Sequence, residues 1–403
     1  MPLKGEEARE RVAVLVDEIA EAEALEFGDT APAQSTASVI HVLDTLGYEP
    51  VELALQADRP DDWLRRVIEG DFHLAFNLCE TVGGQSDSEH LPAAAIELLG
   101  LPKTGATAAT LLHCLDKDLC SAVLRAHDIS VPEWRFIDED EPVPEKWDRF
   151  PAIVKPLAED ASNGVHSNSV AYSRDELQRA VAKLGEAWGA LIVQEFIDGR
   201  EINLAIVGNY LLPPSEIDFS TLPEGAPPIV SFEAKWAPGS AEDQGTRPIC
   251  PAPLEAGLAE SLQLLTARAW TLMGGEGYAR VDVRLSPSGV PYVIDVNPNP
   301  DLSPDAGLAR QARSAGWSYE DLISKIIEDA LSRHRIDRAA STVEQPPHPH
   351  PHHPPGIAEA PLPVARGAAP AATTAQEAGG GGAGGGGRAW IILHPDEAEP
   401  ESF

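Results

Sequence analysis

Positive charge is what this sequence has least of. Its 403 residues carry 30 Lys+Arg against 64 Asp+Glu, a formal charge of −34 with His neutral. Phosphate backbones are held by clustered Lys and Arg, so the balance argues against a nucleic-acid partner, and an acidic chain is repelled by an anionic membrane surface. Small metabolites or proteins remain as partners. Long apolar runs are missing too, since nothing approaches the roughly 18 consecutive apolar residues of a membrane span. Residues 1–11 mix charges of both signs and hold no apolar core before a small-residue cleavage site, so export is not expected and the cytoplasm is the expected location. Cysteine is scarce, and Cys79, Cys114, Cys120 and Cys250 include no C-x-x-C spacing. They read as core thiols in a reducing compartment rather than as a zinc site or disulfides.

Composition separates a tail. Residues 334–403 hold 11 Pro and 10 Gly in 70 positions, in the range of low-complexity or disordered chain, so the folded body is expected to end near residue 333. Within the tail, His348-Pro-His-Pro-His-His353 reads either as imidazoles for a transition metal or as a solvated spacer. Residues 379–387 form a Gly-rich linker, and Trp390-Ile-Ile-Leu393 is a short apolar segment suited to docking on a partner protein.

The body alternates strand and helix patterns. Residues 12–16, 51–55 and 72–78 read as strands, with helices over 38–46 and 59–69 between them. That order implies a small parallel-sheet α/β domain, residues 1–103. A helix over 107–127 and strands at 132–137 and 151–154 open a second unit, 104–190. The third, 191–333, contains strands at 191–196, 201–207 and 211–217, a helix over 254–273, paired strands at 277–285 and 290–297, and a closing helix over 318–332.

Chemistry concentrates in few places. In Tyr278-Ala-Arg-Val-Asp-Val-Arg284 the period-2 alternation projects Arg280, Asp282 and Arg284 from one face. The next strand, Tyr292-Val-Ile-Asp-Val-Asn297, does the same for Asp295 and Asn297. If the two are antiparallel neighbours, two carboxylates and an amide oxygen converge, a donor set suited to Mg²⁺ completed by phosphates; the alternative is a pair of solvated acids facing Arg280 and Arg284. Lys155 ends an apolar strand, where a buried charge is costly unless it meets an anion such as phosphate. Beyond it, Glu159-Asp-Ala-Ser-Asn-Gly164 reads as a small-residue loop over phosphates or as a surface hairpin.

Taken in order, Phe76-Asn-Leu78, Pro102-Lys-Thr-Gly105, Leu115-Asp-Lys117, Ile153-Val-Lys-Pro156, Val193-Gln-Glu-Phe-Ile-Asp-Gly-Arg-Glu201, Glu216-Ile-Asp-Phe219, Gly277-Tyr-Ala-Arg-Val-Asp282 and Asp295-Val-Asn-Pro-Asn-Pro300 resemble an ATP-grasp ligase of the D-alanine:D-alanine ligase type, over about residues 70–333. The resemblance implies an ATP-grasp fold of two α+β lobes behind the small parallel-sheet domain. It also implies an ADP-forming ligase that joins a carboxylate to an amine through an acyl phosphate, with ATP and two Mg²⁺ (or Mn²⁺) ions. By the same resemblance, Lys117 and Lys155 hold ATP phosphates beneath the loop that contains Ser162. Gln194, Glu195, Phe196 and Ile197 read adenine, and Glu201 takes the ribose hydroxyls. Asp282, Asp295 and Asn297 ligate metal, Arg280 stabilises the reacting acyl phosphate, and Lys235 reaches the phosphates from a mobile loop. A homodimer, frequent among such enzymes, is left open.

The amino-acid pocket departs from that pattern. Ala161 replaces the first Ser of a Ser-Ser pair, Trp236 replaces a Tyr after the loop lysine, and Glu80-Thr81 stands where His-Gly is expected. After Val16 comes Asp17-Glu-Ile-Ala-Glu-Ala-Glu23, without the Gly-Gly turn that precedes an amine-binding Glu. Sites built to hydrogen-bond a substrate group reject analogues steeply. The expected substrates are therefore amino acids or a small peptide other than two D-alanines. D-alanine:D-alanine ligation and a non-catalytic nucleotide-binding module are the alternatives.

Overall fold

Three sheets carry the chain in a computed structural model that describes residues 8–19, 31–138, 141–159 and 162–342. Ala161, residues 20–23 and the tail motifs named above lie outside the described residues.

In the first sheet β1 (Arg11–Asp17), β2 (Glu49–Leu55) and β3 (Leu74–Asn77) run parallel in the order β2-β1-β3. Helices Ala31–Thr45 and Pro60–Glu69 make the crossovers, as the strand–helix alternation implied. A parallel strand covered on both faces has no polar side. Accordingly Val12, Val14 and Val16 pack with Val39, Leu43 and Phe76, while Ala13 and Leu15 pack with Leu53, Trp63 and Ile96. The first of these cores also takes in Tyr278, Leu302, Leu322 and Ile326, which join the opening segment to the end of the body.

The second sheet holds β4 (Trp134–Ile137), β5 (Ala152–Pro156), β6 (Val170–Ala171) and β7 (Leu191–Glu195), antiparallel in the order β4-β7-β5-β6. Helix Arg174–Trp188 backs it through Leu177, Val181 and Leu184. The third holds β8 (Arg200–Val207), β9 (Tyr210–Leu211), β10 (Ser215–Asp218), β11 (Arg247–Ile249), β12 (Tyr278–Leu285) and β13 (Pro291–Asn297). Its order is β11-β10-β8-β12-β13 with β9 beside β8, all antiparallel. Helix Ala256–Leu272 covers this sheet through Leu262, Ala269 and Trp270. A turn delivers the chain to β8 at Gly199, whose φ of +130° and 2.2 Å approach of a would-be Cβ to the Leu285 carbonyl exclude other residues.

Three elements differ from the sequence expectation. The helix over 107–127 is two helices, Ala108–Leu115 and Lys117–Ala126. Asp116 lies between them with ψ 97°, and its carboxylate caps the second by accepting from the Leu119 N–H at 3.0 Å. That break makes Lys117 the first residue of a helix. The strand over 211–217 is interrupted at Pro213-Pro214, which have no N–H for a ladder. The closing helix runs Tyr319–Thr342, past residue 333, where Arg333 bridges Asp329 at 2.8 Å and Glu276 at 3.0 Å.

Candidate active site

The second and third sheets face a cavity of about 650 Å³. Every site residue expected from the sequence and its resemblance lines it: Lys117, Lys155, Ser162, Gln194, Glu195, Phe196, Ile197, Glu201, Lys235, Arg280, Asp282, Asp295 and Asn297. The segments that supply them are far apart in sequence, so their convergence is a property of the fold.

The acids sit on the paired strands as the alternation required. Asp282 of β12 is directly opposite Asp295 of β13, and Arg280 opposite Asn297, with a register irregularity just after Asp282. Asp282 is buried and fully engaged. Arg280 donates to both its oxygens at 2.8 Å, Asn203 to Oδ1 at 2.7 Å and Asn297 to Oδ2 at 3.1 Å. Burial pushes the Asp282 carboxyl up, but Arg280, then Lys235 and Asn203, outweigh it and hold the group below the ordinary carboxylate range. Asp282 is thus buried rather than solvated, although it does face Arg280 as the alternative had it, and Asp295 is partly buried. Among the described residues no cluster of three or more His, Cys, Asp or Glu is placed to hold a metal. The set here is two carboxylates and an amide, which is what Mg²⁺ takes when phosphates complete its shell. Turning the Asn297 amide by 180° offers its oxygen in place of Nδ2.

Cations line the same cavity. Lys117 is buried, and its Nζ donates to the carbonyl of Glu159 at 2.7 Å, at the root of the loop that carries Ser162. Lys155 is partly buried on β5. Desolvation lowers its pKa and the nearby Lys117 and Arg284 add to the effect, against Asp295 and Glu201. An anion brought to this place relieves that cost.

Phe196 forms an apolar slot with Ile153, Val170 and Ile229, and Ile197, next in sequence, is buried and lines the cavity too. The N–H groups of Glu195 and Phe196 are committed to the carbonyls of Glu133 and Pro151 at 2.7 and 2.8 Å. The Gln194 side chain is buried beside them. Glu201 is buried as well, and burial raises its pKa against the opposing charge of Arg284, whose Nη2 lies 3.0 Å from Oε2.

Two loops close over the cavity and touch each other. Ser162, at φ +64°, donates its hydroxyl to the Val230 carbonyl at 2.8 Å, and Phe232 N donates to the Val165 carbonyl at 2.7 Å. His166 Nδ1 donates to Glu233 Oε1 at 2.7 Å. Lys235 and Trp236 follow in the short helix Phe232–Trp236, capped by Ser231. Burial raises the Glu233 carboxyl, but its bonds to His166 and Ser231 leave it below the ordinary value. The joint therefore stays ionised on its acid side at neutral pH, and the Glu233 contribution is lost as pH falls through that lowered value. The pair is partly exposed, so replacing Glu233 by Gln is expected to change Tm by no more than a degree or two. If ATP binds here, as the resemblance implies, the same change raises its KM by about two- to fivefold in steady-state assays, the scale of an exposed ion pair.

Sequence reasoning missed several lining residues. Asn203 was invisible because its role comes from β8 lying beside β12, with Asn203 opposite Asp282. Asn299 ties the loop after β13 to the first sheet, donating to the Cys79 carbonyl at 3.0 Å and to Glu89 Oε1 at 2.9 Å, and accepting from Tyr278 at 3.2 Å. Burial pushes the Tyr278 hydroxyl up, with Glu80 and Glu89 adding to it. Asp17, Glu80, Glu89, Asp301, Arg310 and Trp236 also line the cavity.

Residues 123–328 match the family model described as the D-ala D-ala ligase C-terminus. Among curated proteins, a D-alanine–D-alanine ligase of Synechococcus sp. strain JA-3-3Ab is 30% identical over 254 residues, 62% of this chain and 75% of that one. An uncharacterized protein, y4sG, of Sinorhizobium fredii is 32% identical over 311 residues, 74% of this chain and 87% of the relative. Among solved structures, the D-alanine–D-alanine ligase of Bacillus anthracis complexed with ATP superposes with a TM-score of 0.65 over 81% of this chain and 99% of that one. At 22% identity it speaks for the fold alone.

Proposed function

The chain belongs to the D-alanine–D-alanine ligase family, ATP-grasp enzymes that form carbon–nitrogen bonds with release of ADP, and we propose that it joins a carboxylate and an amine other than those of two D-alanines. The observation that carries this reading is a single cavity lined by every residue that the resemblance assigns to phosphate and metal and also by Trp236, Glu80 and Asp301.

The chemistry follows from charge. A carboxylate is a poor electrophile; attack on the γ-phosphate of ATP converts it to an acyl phosphate, from which an amine displaces phosphate. Lys117, Lys155 and Lys235 hold the triphosphate, and Arg280 neutralises charge developing on the acyl group and on the tetrahedral species. Asp282, Asp295 and Asn297 would hold Mg²⁺ or Mn²⁺, two ions on this proposal. Bound there, the metal supplies a Lewis acid and a clamp for the transferring phosphoryl group. Phe196 and Ile197 take the adenine ring, with the Ile197 N–H as backbone donor and Gln194 and Glu195 beside it, and Glu201 takes the ribose. The loops joined through Ser162 and Glu233 shut out water, which protects the acyl phosphate from hydrolysis.

In this reading residues 1–103 form the substrate-side wall, and 104–190 and 191–333 the two nucleotide-gripping lobes. A cytoplasmic location is supported by the burial of the Cys79, Cys114 and Cys120 thiols in the body. A homodimer is supported by Leu91, Leu98 and Leu112, large apolar side chains left exposed. Transition-metal or protein binding by the tail belongs to the same proposal.

The names of the curated relatives favour a second reading, ligation of two D-alanines. The two separate cleanly. With ATP, Mg²⁺ and D-alanine as the only amino acid, phosphate release is expected to stay within about twofold of the substrate-free rate. Brisk, saturable release assigns the enzyme to D-alanine instead.

A further inference from the structure

Arg284 is a side chain that the ligase reading above does not use, and its surroundings are unusually complete. It is 3% exposed, yet it lies on the cavity wall. Register places it opposite Glu201 across β8 and β12. Its guanidinium lies over the rings of Phe196 and Phe219, 5.0 and 5.4 Å from their centroids. Nη2 meets Glu201 Oε2 at 3.0 Å and also donates to the Pro228 carbonyl, while Nη1 donates to the Gly199 carbonyl at 3.2 Å.

One planar group thus ties together the slot residue Phe196, the turn at Gly199, the acid Glu201 and the segment that leads into the Lys235 helix. Lys has no such fork: its ammonium is a point charge that cannot serve a carboxylate and two carbonyls in one plane while stacking on rings. Oε2 of Glu201 is taken by Arg284. Oε1 makes no hydrogen bond among the described residues, and Glu201 lines the cavity.

We propose that Arg284 is a positioning residue for nucleotide recognition: it locks the Glu201 carboxylate by one oxygen and presents the other to a ribose hydroxyl, while fixing the Gly199 and Pro228 backbones at the edge of the nucleotide slot. Discrimination between ribo- and deoxyribonucleotides then depends on a residue that never touches the nucleotide. This inference rests on the reading of the cavity as an ATP site, and the experiment keeps the two apart.

The test is equilibrium binding of ATP and of 2′-deoxy-ATP, each with Mg²⁺, by calorimetry on the full-length protein. Unaltered protein is expected to prefer ATP by about tenfold or more, the scale of a hydrogen bond to a charged group. Arg284→Met is expected to weaken ATP about tenfold, leave 2′-deoxy-ATP within about threefold, and so erase most of the preference, whereas Arg284→Lys recovers only part of it. Glu201→Gln is expected to erase it equally, and the double variant to lose nothing more, because both changes break one device. Should Arg284→Met fail to fold, Phe219→Leu removes a ring from the stack without touching the cavity and is expected to give an intermediate loss. A folded Arg284→Met protein with the ATP preference intact, or additive losses in the double variant, overturns the role of Arg284. Failure of the unaltered protein to bind either nucleotide overturns the ATP reading itself.

Discussion

Asp295→Asn is expected to abolish ADP formation, by about 10³-fold or more, in protein that melts within a few degrees of the parent. Asn has the same shape, and Asp295 is only partly buried on β13, so strand pairing with β12 survives. Its local bond, accepted by Oδ1 from the Val296 N–H at 3.1 Å, is equally available to an amide oxygen. What disappears is a negative charge opposite Asp282 and close to Lys155 and Arg280. A divalent ion at this place supplies several kcal/mol of transition-state stabilisation, and about 4 kcal/mol corresponds to three orders of magnitude in rate. An ADP-coupled assay over a Mg²⁺ titration reads the effect, and excess metal recovers part of it. Turnover unchanged at ordinary Mg²⁺ removes Asp295 from the metal site.

The second large effect is expected at Arg280, and it has two separable parts. Arg280→Met removes the bidentate partner of Asp282, leaving a buried carboxylate hydrogen-bonded by Asn203 and Asn297 and opposed by the charge of Lys235 alone among the cations that lower its pKa most. Breaking one side of a buried pair costs about 3 kcal/mol or more, so Tm falls. Turnover also falls by about 10²–10³-fold, the usual consequence of deleting a donor aimed at developing charge. Removing the stranded charge as well, in Arg280→Met/Asp282→Asn, is expected to restore most of the stability and none of the turnover. Turnover stays lost in the double variant because Asp282 is itself placed on the metal, and its recovery would remove both Arg280 and Asp282 from the chemistry.

How much of this was legible beforehand depends on how local each signal is. The strand–helix alternation of residues 11–77 reads directly as a parallel unit, because burial on both faces writes continuous apolar runs into β1. Alternation in 278–284 likewise put Arg280 and Asp282 on one face before the pairing of β12 with β13 was known. Lys117 was legible as a residue but its placement was not: the helical pattern runs on through Asp116, and only cap geometry reveals the break that sets Lys117 at a helix start. Partners across strands were the least legible. Asn203 serves Asp282, and Arg284 serves Glu201, through the neighbouring of β8 and β12, which are separated by 70 residues that no periodicity connects. The contact between the loop of Ser162 and His166 and the loop of Glu233 and Lys235 is of the same kind, made by two irregular segments. Composition predicted the acidity of the chain but not its use. The few cations that matter are gathered on one cavity, where an anionic substrate must be neutralised against a negative background.

The measurement that tests the central claim most directly is a stoichiometric screen on the full-length enzyme. Pairs of amino acids and dipeptides are supplied with ATP and Mg²⁺, ADP is followed enzymatically, and products are weighed by mass spectrometry. The account predicts that ADP appears only with a carboxylate and amine pair other than two D-alanines, one ADP for each product whose mass is the sum of the pair less one water. ADP accumulating without any condensed product, or in step with D-alanyl-D-alanine, would contradict it.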